Sequence, residues 1–440
     1  MEAEAWAPFG EDSEIEYSPE QPQGRFHWET ERKLPKSREK AAFPSQLRRQ
    51  WELRIRHWLI NTSLQAPGDN IAKRHFHYKS ASDLSQLPPE PANPPPIDLT
   101  QMPDPDIQLR QLRCYGCSTR TATVHRVYFF SCPQCGDLFL EKRMQTRDLT
   151  GHWAVVVGGR TKMGYQVVLK LVRAGAKCVV TTRQVERAKA LFCLEPDYQD
   201  WSERLYVYPQ GLDLLSPALT SLLQELVAYI ATHTDHIDIL VNCAAQTIRA
   251  FNESRETEGT NRYGDPSSLK EAESSWTLRL HEVSFKEWKE TFSVSAIAPA
   301  VIISALLPLL RAESTTVSRP PLPLFAYVIN VHSREGLLTV RKGHKHIHTN
   351  MAKTALAMLT RSLSAPWSLR RSAVYSQQRL IRVFGVDPGW SSTEEYLEAG
   401  CSVVIPPLDE VDAAARVLQP VWELMPSDGK TLRHYRRHEY

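Results

Sequence analysis

From about residue 151 to the C-terminus, short apolar runs alternate with longer stretches whose apolar positions recur at helical spacing. The runs predict strands over 153–157, 178–182, 205–208, 237–241, 326–331 and 381–386. Between them the periodicity predicts helices over 164–174, 217–231, 285–310 and 351–363. Ser216 suits an N-cap for the second of these, with Pro217 at the first helical position. Strands that are apolar throughout, separated by amphipathic helices, predict an α/β fold built on a doubly wound parallel sheet.

The first third of the chain has a different texture. Residues 1–42 are acidic, then mixed in charge, with few aliphatics, the pattern of a disordered tail. In 43–87, Leu47, Trp51, Ile55, Trp58 and Leu59 share one helical face, while Arg48, Arg49, Arg54 and Arg56 lie on others. Such a helix suits docking on its own protein or on a partner; gripping a membrane or nucleic acid is the weaker alternative. Eight prolines within 88–105 favour an extended, stiff linker, assigned to 88–108. A cysteine-bearing module then spans 109–147, and the α/β domain runs over 148–440.

Composition narrows the classes. A hydrophobic content of 42% can fill a core, and a net charge of +3 is too small for a dedicated nucleic-acid binder. No run of eighteen apolar residues occurs, so no membrane span is expected. The acidic N-terminus fits neither a secretory nor a mitochondrial leader, so a cytoplasmic protein is expected. Cys178, Cys193, Cys243 and Cys401 are scattered and expected to pack as small hydrophobes.

Cys114-Tyr-Gly-Cys117 and Cys132-Pro-Gln-Cys135 form two C-x2-C pairs with fourteen residues between them. A short hairpin through Val124, Val127, Phe129 and Phe130 would bring the pairs together. Four thiolates at tetrahedral geometry suit a structural zinc in a ribbon-like module. Disulfides and a one-iron site use the same ligands and stay open. A closed four-sulfur site organises rather than reacts, so the module is an intramolecular brace or a surface for a protein partner.

Val157-Gly158-Gly159-Arg160-Thr161-Lys162-Met163-Gly164 follows the first predicted strand and opens a helix. In that setting a glycine-rich turn offers backbone N–H groups to a pyrophosphate. Asp213 follows the third strand, Asn242-Cys243-Ala244-Ala245 ends the fourth, and Asp387-Pro388-Gly389-Trp390 with Thr393 ends the sixth. Together these resemble the short-chain dehydrogenase/reductase superfamily over residues 148 to 430. Its T-G-x-x-x-G-x-G turn is met at the outer glycines and departed from at Val157 and Lys162.

The resemblance implies a Rossmann sheet and a dinucleotide held by Gly158, Gly159, Arg160, Met163, Gly164, Arg183, Asp213, Asn242, Ala244, Lys353, Pro388, Gly389 and Thr393. The second strand ends Thr181-Thr182-Arg183, without the carboxylate that recognises an unphosphorylated ribose. Arg183 and Arg160 can pair a 2′-phosphate, so NADP(H) is expected over NAD(H). The resemblance also assigns chemistry: Ser333, three residues before Gly336, would polarise a carbonyl, and Lys353 would hold the nicotinamide ribose. Two positions depart, with Thr349 where the family has its tyrosine and Ser295 where it has asparagine. His344, His346 and His348 precede the lysine, and His348 is the expected substitute proton donor.

These features fit an oxidoreductase acting on an unidentified carbonyl or alcohol. The alternative is a dinucleotide-binding scaffold without turnover. Residues 246–284 are longer than the fold needs and suit a lid or an interface, such as that of a homo-oligomer.

Overall fold

The computed structural model describes residues 97–98, 112–125, 127–128, 130–245, 275, 278–311, 325–340, 342–364, 379–391, 407–424 and 432–434. The acidic tail, the arginine-flanked helix over 43–87, Cys401 and Thr393 lie outside these residues, as does most of 246–284.

The described chain opens with four two-residue strands: β1 (Ile97–Asp98), β2 (Leu112–Arg113), β3 (Arg120–Thr121) and β4 (Thr123–Val124). β2 pairs antiparallel with β3, and β4 pairs antiparallel with β1, so two residues of the expected linker add a strand to the cysteine module. The hairpin expected between the cysteine pairs is replaced. The hairpin tip itself carries Cys114 and Cys117, while Cys132 caps helix α1 (Pro133–Met144). Proline at a first helical position has no N–H to leave unsatisfied, which suits Pro133 to that start.

The larger domain continues with β5 (Trp153–Val157), α2 (Lys162–Arg173), β6 (Lys177–Thr181), α3 (Val185–Cys193), α4 (Tyr198–Trp201), β7 (Leu205–Val207) and α5 (Leu219–Ala231). β8 (Ile239–Asn242), α6 (Phe285–Phe292), α7 (Ala298–Arg311), β9 (Phe325–Val331), α8 (Ile347–Leu363), β10 (Leu380–Asp387), α9 (Glu410–Trp422) and β11 (Leu432–His434) complete it. All six predicted strands are present. β11, α3, α4 and α9 were not predicted.

The sheet order is β11-β10-β9-β8-β5-β6-β7, with every pair parallel. β5 and β6 are runs such as Ala-Val-Val-Val and Cys-Val-Val, whose branched side chains suit a surface packed on both faces. Val167, Val168, Leu171 and Val172 of α2 cover one face together with Val417, Leu418 and Val421 of α9. Leu223, Leu226 and Ile230 of α5 cover the other, with Ile302, Leu306 and Leu310 of α7. Chain direction across the sheet reverses between β5 and β8, the switch point where such sheets open a crevice.

Several boundaries shift, and α8 starts at Ile347, four residues before the predicted 351. Ser216 makes a turn instead of a cap: its hydroxyl accepts from Ala218 N at 3.1 Å, and the helix starts two residues later. The helix expected over 285–310 is broken by a π turn, Ser293–Ile297. Pro299 explains the widening, because it has no N–H to give the preceding turn and its ring crowds the carbonyl four residues back. By length and composition alone Phe285–Arg311 is long and apolar enough to cross a membrane. Ile302, Leu306 and Leu310 spend that apolarity on the sheet instead.

The module joins the large domain through buried charge. Arg143 of α1 donates to Asp409 Oδ1 at 2.6 Å and to Asp412 Oδ1 at 3.0 Å, and the Tyr128 hydroxyl donates to Asp412 at 2.7 Å. Burial opposes a charge on Arg143, and the two carboxylates override it, holding its pKa well above the ordinary value. Asp409 also caps α9 by accepting from the N–H groups of Val411 and Asp412. Truncating one member of a buried ion network strands the rest. Arg143→Ala is therefore expected to cost about 3–5 kcal/mol of unfolding free energy. Urea denaturation checks this, and a loss under about 1 kcal/mol, the worth of an exposed pair, would contradict it.

Candidate functional site

The carboxyl ends of β5, β6, β8, β9 and β10 surround a cavity of about 900 Å³, within the size range of small-molecule sites. Its floor is the turn from β5 into α2. Gly158 has φ +85°, and a Cβ there would lie 2.8 Å from Ala244 Cα. A Cβ on Gly164 would overlap the Gly158 carbonyl oxygen, so the helix can start this close only on glycine. Gly159 does not line the cavity. Its Cα packs inward, where a Cβ would lie 2.6 Å from Val180 Cγ1. Lys162, which stands where the family pattern has its middle glycine, has a left-handed backbone at φ +51°. Thr161, Lys162, Met163 and Gly164 line the cavity, so the first turn of α2 faces it with its N-terminal end, where a helix presents backbone N–H groups.

Along the rim stand Arg160, Thr181, Thr182, Arg183, Gln184 and Asp213. The end of β6 brings no carboxylate, and Arg183 is exposed to meet an anion. Asp213 Oδ1 accepts from Leu215 N at 3.1 Å, which fixes its carboxyl in a turn. Of the expected contacts, Ala244, Lys353, Pro388 and Gly389 also line the cavity. Asn242 does not. Its amide donates to Asn330 Oδ1 at 2.8 Å, and Asn330 donates to Thr360 Oγ1 at 2.9 Å, a buried ladder joining β8, β9 and α8.

The opposite end gathers the expected reactive residues. Ser333, Thr349 and Lys353 share one wall with His346, one of the three candidate histidines, and with His332, Glu335 and Asn350, which sequence reasoning had not singled out as site residues. Lys353 Nζ donates to Val331 O at 3.1 Å. Burial pushes its ammonium down to about 8, against the pull of Glu335 and Asp387. Among the described residues, Thr349 Oγ1 and Asn350 Oδ1 are buried polar atoms with no partner in the protein. Ser295 is buried in the π turn and does not line the cavity, so the serine does not stand in for an asparagine at the wall.

The histidines separate. An extended loop would align all three, but α8 begins at Ile347 and disperses them. His344 is exposed. His346 caps the helix with φ +43° and lines the cavity, seven residues before Lys353 and so on the same helical face. His348, the expected proton donor, is turned away from the wall. It is fully buried, with Nε2 3.8 Å from Glu287 Oε1 and its ring against Trp288, and burial lowers its pKa to about 4. This corrects the expectation, because a neutral imidazole without access to the cavity cannot deliver a proton there.

In the module, the Sγ atoms of Cys114, Cys117, Cys132 and Cys135 all lie within 4.8 Å of one another. The Cys114–Cys132 and Cys117–Cys132 pairs are 3.7 and 3.8 Å apart. A tetrahedral zinc with bonds of about 2.3 Å needs sulfurs about 3.8 Å apart, so the quartet fits one. Cys132 N donates to Cys114 Sγ at 3.2 Å, supporting the ligand from behind. Of the scattered cysteines, Cys178 is buried and Cys243 packs on the core, whereas Cys193 is exposed.

A short chain dehydrogenase family model matches residues 152–265. The chain is 32% identical to the uncharacterized protein R665 of Acanthamoeba polyphaga mimivirus over 351 residues, 70% of this chain and 71% of the viral one. Among solved structures it is similar to the carbonyl reductase Sniffer of D. melanogaster, with 20% identity, a TM-score of 0.45, and coverage of 65% of this chain and 97% of that one. A short-chain dehydrogenase from Streptomyces avermitilis gives 18%, 0.43, and 65% and 88%.

The crowding at the turn makes a local prediction. Gly164→Ala is expected to cost about 1–3 kcal/mol, as overpacking does. Gly343→Ala, with nothing within 4 Å of its added Cβ, serves as the control and should shift the thermal midpoint little. Equal midpoints for the two variants would contradict the close approach of helix and strand.

Proposed function

We propose that this chain, which belongs to the short-chain dehydrogenase/reductase superfamily, is an NADP(H)-dependent oxidoreductase acting on a carbonyl or alcohol. The observation that carries the reading is the single cavity shared by the glycine turn of Gly158 and Gly164 and by Ser333 and Lys353. A nicotinamide dinucleotide, when bound, supplies the hydride. The N–H groups of the first turn of α2 would receive its pyrophosphate. Arg183 and Arg160 would pair a 2′-phosphate, and the absence of an acid at the end of β6 removes the partner that favours NAD(H).

At the reactive end the Ser333 hydroxyl would donate to the substrate oxygen. The Lys353 ammonium would hold the ribose hydroxyls. A threonine hydroxyl is far too weak an acid to replace a phenol, so Thr349 cannot deliver the proton in the family's way. His346 is the better donor, because its imidazole shares the cavity wall with Lys353, and imidazole chemistry suits neutral pH. In the module, the four thiolates would hold a structural zinc, which has no open position for chemistry.

A second reading, a dinucleotide-sensing scaffold without turnover, is favoured by the two departures at Thr349 and Ser295. One experiment separates them: equilibrium titration with NADPH and NADH, then turnover over a panel of aldehydes and ketones. The enzyme reading expects tighter NADPH binding and measurable turnover. His346→Ala should lower turnover about 10²- to 10⁴-fold, and His348→Ala far less. With the Lys353 pKa about 8 in the free protein, kcat/KM should fall above pH 8 as the ammonium is lost, not above the 10.5 of an ordinary lysine. NADPH binding without turnover would leave the scaffold, and NADH binding as tightly as NADPH would overturn the cofactor assignment.

A further inference from the structure

We propose that the four-cysteine centre and the cofactor cavity are one coupled unit, in which Tyr115 transmits metal occupancy to the wall formed by residues 388–390. The inference rests on the reading of the cavity as an NADP(H) site and goes beyond it, because nothing in that reading requires the metal.

Tyr115 lies between two of the sulfur ligands, in Cys114-Tyr115-Gly116-Cys117, yet it also lines the cavity. The backbone on both sides of it is therefore fixed by whatever holds Cys114 and Cys117. Tyr115 N donates to Phe130 O at 2.6 Å, which anchors the knuckle to its own module. Its phenol oxygen accepts from Trp390 N at 2.9 Å. The same oxygen sits so close to Gly389 that a Cβ there would lie 2.7 Å away, and Gly389 itself has φ +83°. Glycine adopts that conformation without steric cost, and the absent Cβ is what lets the phenol oxygen come this close.

A second arm reaches the same three residues. Arg416 donates to Pro388 O at 3.0 Å, and its guanidinium lies over the Phe139 ring, 4.6 Å from the centroid. Phe139 is buried in one cluster with Cys114, Cys135, Tyr128 and Leu408. The wall at 388–390 is thus gripped through Tyr115 on one side and through Phe139 and Arg416 on the other. Both grips originate in side chains packed around the sulfurs. The module's strands are two residues long each and cannot hold the knuckle unaided. A metal crosslink between the hairpin tip and the start of α1 supplies the missing rigidity.

Coupling of this kind is reciprocal: whatever factor the metal adds to cofactor affinity, the cofactor adds to metal affinity. The test measures NADPH dissociation constants by calorimetry for three full-length samples: zinc-loaded, chelator-stripped under reducing conditions, and zinc-loaded Tyr115→Phe. Stripping is expected to weaken binding about 10- to 100-fold, within the ordinary range of site-to-site coupling. Tyr115→Phe should weaken it about three- to tenfold, the worth of one hydrogen bond, with zinc content unchanged. Saturating NADPH should slow zinc release to a chromogenic chelator in the native protein and do so less in Tyr115→Phe. If the stripped protein unfolds, the release rate and the Tyr115→Phe constant decide alone. Unchanged NADPH affinity in Tyr115→Phe together with unchanged zinc release would overturn the coupling. Failure of the zinc-loaded protein to bind NADPH would instead overturn the dinucleotide reading on which the coupling rests.

Discussion

At Gly164 the first turn of α2 comes so close to the Gly158 carbonyl that a Cβ on residue 164 would overlap its oxygen, and only a missing side chain lets both fit. The rest of the site depends on that approach. It directs the N-terminus of α2 into the crevice at the sheet's switch point, where backbone N–H groups and the helix dipole favour an anion. It also brings the β5 turn against Ala244 after β8, closing one end of the cavity. Ser333 follows β9 and Lys353 stands on α8, so the same parallel sheet that makes the floor delivers the reactive residues to the other end.

The cysteine module extends this arrangement rather than standing apart from it. Arg143, Asp409, Asp412 and Tyr128 form a buried charged network between α1 and the start of α9. That network places α1 so that Phe139 meets Arg416, which in turn holds the Pro388 carbonyl. Lys170 of α2 donates to Arg143 O at 2.7 Å, and burial lowers its ammonium to about 8. One arginine thus ties the module to both helices that cover this face of the sheet.

Much of this was legible from local chemistry. The apolar strands, the glycine turn, Ser333, Lys353 and the two C-x2-C pairs are short-range patterns; the strands form the sheet, Gly158, Gly164, Ser333 and Lys353 line one cavity, and the four sulfurs cluster. What was missed depends on tertiary packing. The π turn follows from Pro299, whose effect on the helix before it is easily read as continuous periodicity. The histidines at 344, 346 and 348 alternate like a strand, and only the onset of α8 at Ile347 sends His346 to the cavity and His348 into the core. Asn242 matched a signature, yet its amide serves Asn330. Tyr115 looked like a spacer between ligands, and no local signal reveals a contact to a residue 275 positions away.

A nicotinamide dinucleotide bound along the cavity, as proposed, would lie within energy-transfer range of Trp390, which lines it. Energy transfer from tryptophan to bound NADPH tests that binding most directly, since Trp390 is one of 11 tryptophans but lines the cavity itself. The expected result is saturable tryptophan-excited emission from NADPH, much reduced in Trp390→Phe while the dissociation constant changes little. Absence of saturable emission, or emission unchanged in Trp390→Phe, would contradict it.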